Sequence, residues 1–179
     1  MTAPLPKSLA HLVEENLREV PDFPEAGVLF RDMTPMLANG PAFKEFIDTL
    51  ADHYRGHIDA VAGLESRGFP LAAPLAVALE IPMIMIRKAG KLPGPVLRED
   101  YTLEYATASM ELQPFTVEDG QRILVIDDVL ATGGTANASV RLIERAGGQV
   151  EEILCLMELR ELDGRAKLGD VSFQSVIVV

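Results

Sequence analysis

Between Arg122 and Thr135 the chain reads Arg-Ile-Leu-Val-Ile-Asp-Asp-Val-Leu-Ala-Thr-Gly-Gly-Thr, an apolar run that meets two adjacent carboxylates, then a Gly/Thr loop, then the start of a helix. A continuous apolar strand that feeds a helix through a short loop belongs to a parallel sheet covered on both faces. Such a loop aims several backbone N–H groups and the positive end of the helix dipole at one point, which suits a phosphate. Asp127 and Asp128 would repel that phosphate. They must face another part of the ligand, either hydroxyls to accept from or a metal held nearby. A sugar diol beside a phosphate satisfies both halves of the motif, so the stretch predicts a ribose phosphate site.

The commoner glycine-rich loops do not fit. A Walker A loop needs Lys and then Ser or Thr after its last glycine, whereas Gly134 is followed by Thr135 and Ala136. A dinucleotide fingerprint needs Gly-x-Gly-x-x-Gly at the strand end, which is also absent. The plainer alternative is a strand closing in a turn, with glycines for positive φ and a solvated Asp pair. The paired acids upstream and the threonines on both sides favour the ligand.

At 179 residues the chain is expected to be one domain over 1–179, large enough for a three-layer α/β core. A net charge of −11 argues against nucleic acid or an anionic membrane as the main partner, so any polyphosphate ligand must find cations gathered locally. The lone Cys155 lies in the apolar run 153–157, where a buried, inert thiol is expected. Residues 1–20 hold no apolar leader segment, and the most apolar stretch, 69–86, is broken by Pro70, Pro74, Glu80 and Pro82. A cytoplasmic location is the expectation. His53 and His57 stand four apart without a third ligand nearby and are expected to be surface residues.

Helical spacing of Leu9, Leu12, Val13 and Leu17 predicts a helix over 8–18, ending before Pro21. Residues 21–40, rich in Pro, Gly and Asp, should be mostly loop with a brief strand at 28–30. Further helices are predicted at 41–54, 69–79 and 135–146. Strands are predicted at 59–63, 83–86, 123–126, 150–157 and 175–179. The alternation gives a mainly parallel central sheet with helices on both faces, and ligands bind beyond the carboxyl ends of such strands. Three polar clusters fall on that edge: 65–68, Arg87-Lys88, and 127–135. An insertion over 89–120 is expected to form a lid, its later part (102–116) a hairpin, whose closure would carry Lys91 and Glu104 toward the strand ends.

On these residues the chain closely resembles the adenine phosphoribosyltransferases, members of the type I phosphoribosyltransferase fold. The matching segments are Pro21-Asp-Phe-Pro-Glu-Ala-Gly-Val-Leu-Phe-Arg-Asp-Met-Thr-Pro35, Ala62-Gly-Leu-Glu-Ser-Arg-Gly-Phe69, Ile86-Arg-Lys-Ala-Gly-Lys-Leu-Pro-Gly94, Tyr101-Thr-Leu-Glu-Tyr105 and Val125 to Thr135. A weaker echo runs over Leu156-Met-Glu-Leu-Arg-Glu-Leu-Asp-Gly-Arg165.

The resemblance implies conversion of adenine and phosphoribosyl pyrophosphate to AMP and pyrophosphate with Mg2+, in a fold with a small N-terminal hood (1–40) and a long flexible lid. It also implies a homodimer. By the same resemblance Asp127 and Asp128 would hold the ribose hydroxyls, and Ala131, Thr132, Gly133, Gly134 and Thr135 would cradle the 5′-phosphate. Arg67, Arg87, Lys88 and Lys91 would hold the pyrophosphate. Phe30 and Val129 would sandwich adenine while backbone groups of Leu29 and Arg31 read its edge. Phe30 has a second reading, as a core anchor for the N-terminal segment.

No all-protein metal site is expected, because Mg2+ prefers phosphate and diol oxygens and keeps its waters. In hypoxanthine-guanine relatives an aspartate that handles the N7 proton stands where this chain has Ala131, which leaves Glu104 as the candidate for that proton and Arg87 for charge stabilisation. Glu104 reads equally as a solvated hairpin residue. Two departures from the family pattern are Ala106 for glycine and Glu65 for aspartate, the second expected to matter little. The rivals are a phosphoribosyltransferase for another base, and a nucleotide-sensing regulator that binds nucleic acid; the acidic surface counts against the latter.

Overall fold

The computed structural model describes residues 3–102 and 107–179, so Glu104 and Ala106 lie outside the described residues. A seven-stranded sheet runs in the order β5-β6-β4-β3-β7-β8-β9. Its strands are β3 (Ala60–Leu64), β4 (Met83–Lys88), β5 (Leu97–Thr102), β6 (Thr107–Leu112), β7 (Arg122–Leu130), β8 (Gln149–Glu158) and β9 (Phe173–Val178). The pairs β4–β3, β3–β7, β7–β8 and β8–β9 are parallel, while β4–β6 and β6–β5 are antiparallel.

Strand alternation divides the core. On β7, Leu124 and Ile126 face one cluster with α1 (Lys7–Glu15), α3 (Gly40–Tyr54) and α4 (Phe69–Leu79). Ile123 and Val125 face the other, with α5 (Gly134–Arg145). Burial on both faces is why these strands are continuously apolar. All five β3 residues are buried. A buried polar anchor ties the first layer to the sheet: the Tyr54 hydroxyl donates to Glu152 Oε2 at 2.6 Å, and Ser172 Oγ donates to Oε1 at 2.8 Å.

Several expected boundaries shift. The first helix stops at Glu15, where Asn16 turns the chain, and Arg18–Pro21 forms strand β1, antiparallel to β2 (Leu29–Asp32). The brief strand expected at 28–30 is β2; its partner β1 did not register in helix periodicity because its residues are mostly exposed and its pairing lies across a loop. A further short helix, α2 (Thr34–Ala38), occupies what was expected to be loop, started by Pro35 in its first turn. The hairpin in the insertion spans 97–112 rather than 102–116, and β6 continues the sheet by pairing Glu111 with Arg87. Leu97 and Tyr101, four apart on one face of β5, pack partly buried against the α5-side core once a neighbouring strand edge is available.

His57 is exposed, but His53 is partly buried edge-on to Tyr54, contrary to the surface position expected of it. Burial lowers its pKa below the usual histidine range. Cys155 is buried as expected, and burial pushes its thiol well up. No helix among the described residues is long and apolar enough to cross a membrane.

Candidate active site

Parallel strands β3, β4, β7 and β8 place their carboxyl ends side by side, and the expected polar clusters meet there. Strand β7 does not stop at Ile126 as expected. Its ladder to β8 continues through Asp127–Cys155 and Val129–Met157 to Leu130–Glu158. Successive strand residues point to opposite faces, so Asp127 turns toward the α5 side and Asp128 toward the hood. The sequence motif showed two adjacent acids; in the structure both reach the polar cleft, and Asp128 alone also borders the apolar slot under the hood.

The first compartment is a cleft of about 300 Å³ floored by Asp127 and Asp128, with Glu65, Ser66, Arg67 and Lys88 on one wall and Ala131 to Thr135 on the other. Gly133 takes φ +77 and starts α5 with no side-chain cap. The first N–H groups of a helix have no intrahelical acceptor, so this terminus is left for an anion. Tyr101 reaches over from β5, its hydroxyl 3.2 Å from Thr135 Oγ1.

The second compartment is an apolar slot of about 170 Å³ under the β1–β2 ribbon, lined by Val28, Leu29, Phe30, Arg31, Val129, Met157 and Leu159. It shares Arg67, Asp128 and Val129 with the cleft, so a ligand with a flat apolar end and a phosphorylated polar end can span both. Phe23 packs edge-on against Phe30 at 5.2 Å. Phe30 is a wall of the slot and lies outside both core clusters, which counts against the reading of it as a core anchor. Met157 and Leu159 were missed by motif reading; the register of β8 beside β7 is the signal that finds them.

The turn after β3 packs tightly: a Cβ on Gly68 would lie 2.5 Å from the Ile126 carbonyl oxygen. That approach brings Arg67 Nε to 2.9 Å from Asp128 Oδ2, with the guanidinium 5.4 Å above the Phe30 ring centroid. The approach to Oδ2 is too poorly directed for a hydrogen bond, so this buried oxygen keeps an open acceptor position. The four expected cations are not equivalent. Arg67 and Lys88 line the cleft. Arg87 and Lys91 instead converge on Glu65, with Arg87 Nε 3.2 Å and Lys91 Nζ 2.5 Å from its carboxylate, which also accepts from the Lys88 N–H at 3.0 Å. Burial alone would raise the Glu65 carboxyl, but Lys91, the Lys88 N–H and Arg87 together hold it below the usual carboxylate range. Glu65 is the residue that gathers two of the cations.

Burial first, and then the Asp128 charge, push the Asp127 carboxyl well above the ordinary aspartate range. Burial also raises Asp128, opposed by Arg67. A raised folded-state value means that Asp127 favours the fold fully when protonated, below the unfolded aspartate pKa. That contribution is lost as pH rises through the folded value. Asp127→Asn is therefore expected to raise the melting temperature near neutral pH by roughly 2–4 °C, the shift of about 1 kcal/mol in a domain of this size, and to give no gain in strong acid. Calorimetry across pH checks this; an unchanged or lower melting temperature at neutral pH contradicts it.

For Mg2+, the donor set fits a substrate-borne ion. No group of three His, Cys, Asp or Glu side chains that could hold a metal occurs among the described residues. Two carboxylates on a phosphate-sized cleft are what a metal already carried by diol and phosphate oxygens needs.

A strand–loop–helix at the carboxyl edge of a parallel sheet, bordered by an apolar slot, is the arrangement expected of a phosphoribosyltransferase, and residues 35–178 match the phosphoribosyl transferase domain family. The adenine phosphoribosyltransferase of Roseiflexus castenholzii is 51% identical over 162 residues, 90% of this chain and 94% of the relative. The solved enzyme from Thermoanaerobacter pseudethanolicus superposes with a TM-score of 0.89 at 43% identity, covering 95% of this chain and 99% of that one. The Saccharomyces cerevisiae enzyme, solved with an iminoaltritol bisphosphate and adenine, gives a TM-score of 0.90 at 36% identity, covering 94% and 98%. The chain belongs to the adenine phosphoribosyltransferases.

Proposed function

We infer that the protein transfers the 5-phosphoribosyl group of phosphoribosyl pyrophosphate to adenine, giving AMP and pyrophosphate, a purine salvage reaction. The observation that carries this is the shared wall: Arg67, Asp128 and Val129 border both the polar cleft and the apolar slot, so base and sugar phosphate meet over the strand end.

In this reading the slot holds adenine between Phe30 and Val129, with Leu29 and Arg31 offering main-chain groups to its edge. Asp127 and Asp128 accept from the ribose hydroxyls, and Ala131 to Thr135 surround the 5′-phosphate with N–H groups. Bond breaking at the anomeric carbon leaves an oxocarbenium-like sugar and a strongly anionic leaving group, so the chain's task is to fix the base in line and to stabilise pyrophosphate. Arg67 and Lys88 do so from the cleft wall, with Arg87 and Lys91 behind them on Glu65. Mg2+ would supply neutralisation of the pyrophosphate, held through phosphate and ribose oxygens next to Asp127 and Asp128. Glu104, outside the described residues, remains our candidate for the N7 proton.

In this reading the hood and the insertion belong to one catalytic domain, contributing residues 28–31 to the slot and Tyr101 to the cleft. Val77 on α4 and Met85 on β4, 78% and 46% exposed, are apolar on the same side of the sheet and offer the face for a homodimer. The reaction places the protein where its soluble substrates are, in the cytoplasm.

The test is a base panel. With phosphoribosyl pyrophosphate and Mg2+, adenine is expected to give AMP and pyrophosphate, hypoxanthine and orotate are expected to give no nucleotide, and chelating the metal is expected to stop turnover. Turnover of hypoxanthine or orotate without adenine would overturn the assignment.

A further inference from the structure

The segment 156–165, which the sequence singled out, lends Met157 and Leu159 to the slot, but its remainder after Leu159 takes no direct part in the reaction just described. After β8 it forms two short 3₁₀ turns at Arg160–Leu162 and Gly164–Lys167. Between them Asp163 adopts a left-handed conformation with φ +47.

Gly164 is buried against the phosphate loop. A Cβ there would lie 2.3 Å from the Ala131 carbonyl oxygen and 3.1 Å from the Gly133 nitrogen, while a Cβ on Gly133 would lie 2.4 Å from the Gly164 carbonyl oxygen. Two backbones thus touch with no side chain between them, which only paired glycines allow. The turn is held in place on both sides. Arg165 forms a fork to Glu158, Nε to Oε1 at 2.5 Å and Nη2 to Oε2 at 2.7 Å. Its guanidinium stacks 4.6 Å from the Phe173 ring centroid, and Ser175 Oγ donates to Glu158 at 3.1 Å. On the far side, Asn137 of α5 donates its side-chain amide to the Lys167 carbonyl. Glu158 pairs in the ladder with Leu130, the residue just before the loop.

We propose that the 163–167 turn, clamped by Arg165 on Glu158, is a buttress that sets the curvature of the Ala131–Thr135 loop, making Gly164 and Arg165 positioning residues for the 5′-phosphate. This rests on reading 131–135 as the phosphate cradle. A loop whose N–H groups must converge on one phosphate loses its effect when one carbonyl rotates, and Gly164 packs on the Ala131 carbonyl that would rotate. A bidentate Arg–carboxylate pair fixes orientation as well as distance, and a lysine supplies charge without the fork.

The experiment compares AMP with adenosine by calorimetry, because their affinity ratio isolates the 5′-phosphate. Wild type is measured first: equal affinities would overturn the cradle reading itself, and this proposal with it. Given a wild-type preference for AMP, Gly164→Ala and Arg165→Met are each expected to weaken AMP binding by about tenfold or more with adenosine affinity unchanged, and Arg165→Lys to recover only part of the loss. Kinetically the loss should appear in KM for phosphoribosyl pyrophosphate more than in kcat. A fall in melting temperature with the AMP-to-adenosine ratio intact would overturn the proposal, since a merely structural turn predicts that outcome. Should Gly164→Ala fail to fold, the Arg165 variants decide, because that side chain is half exposed and its truncation leaves no buried void.

Discussion

Asp128→Asn is expected to lower kcat/KM for phosphoribosyl pyrophosphate by about 100-fold while the protein stays folded. The substitution keeps the shape of a side chain that is 3% exposed and removes its charge. In the native site Oδ2 faces Arg67 Nε at 2.9 Å without a directed hydrogen bond, leaving an acceptor position on a buried carboxylate oxygen. A ribose hydroxyl placed there gains a charge-assisted bond of about 1.5–3 kcal/mol, and the neutral amide forfeits most of it. The loss also unpairs Arg67, which then competes for the substrate phosphates in the wrong orientation. Together these amount to roughly 3 kcal/mol, or about two orders of magnitude in rate constant. Steady-state kinetics with a circular dichroism control checks the claim. A near-native kcat/KM would remove Asp128 from the sugar site.

Gly133→Ala has an effect of similar or larger size by a different route. Gly133 combines φ +77 with a backbone contact that would put a Cβ 2.4 Å from the Gly164 carbonyl oxygen. The left-handed conformation alone costs an L-residue about 1–2 kcal/mol. The contact can be relieved only by moving one backbone off the other, and the α5 terminus moves with it. A displacement near 1 Å in a group that positions substrate can cost about 100-fold. The expected result is a loss of AMP and phosphoribosyl pyrophosphate affinity of about that size, with adenine binding in the slot under Phe30 nearly retained. Calorimetry with the three ligands separates the compartments. Undiminished affinity for the phosphorylated ligands would show that the loop does not hold the phosphate.

The sheet was legible because its strands are buried on both faces: the runs at 60–64, 123–126 and 153–157 have no charged residue to confuse the period, and the helices between them follow. The strand–loop–helix at 122–135 and its place in the cleft were legible because glycine, threonine and paired acids are unusual together at a strand end. What sequence alone left obscure depends on contacts between distant segments. Strand β1 looks like the end of a helix until β2 folds back to pair with it. Strand β7 appears to end at Asp127 because the ladder that extends it is supplied by β8, more than twenty positions away. Glu65 looked like a conservative replacement, and only the turn geometry shows Arg87 and Lys91 converging on it. Gly164 carries no chemistry of its own; its place is visible only when the loop it touches is in view.

The central claim is that one ligand lies across both compartments, with its sugar over Asp127 and Asp128. A crystal structure of the protein with AMP tests it most directly. The account requires the 5′-phosphate among the N–H groups of 131–135, the ribose hydroxyls on the two aspartates, and the adenine ring between Phe30 and Val129. A nucleotide bound anywhere else, or bound with its phosphate on Arg87 and Lys91 and its base outside the slot, would contradict it.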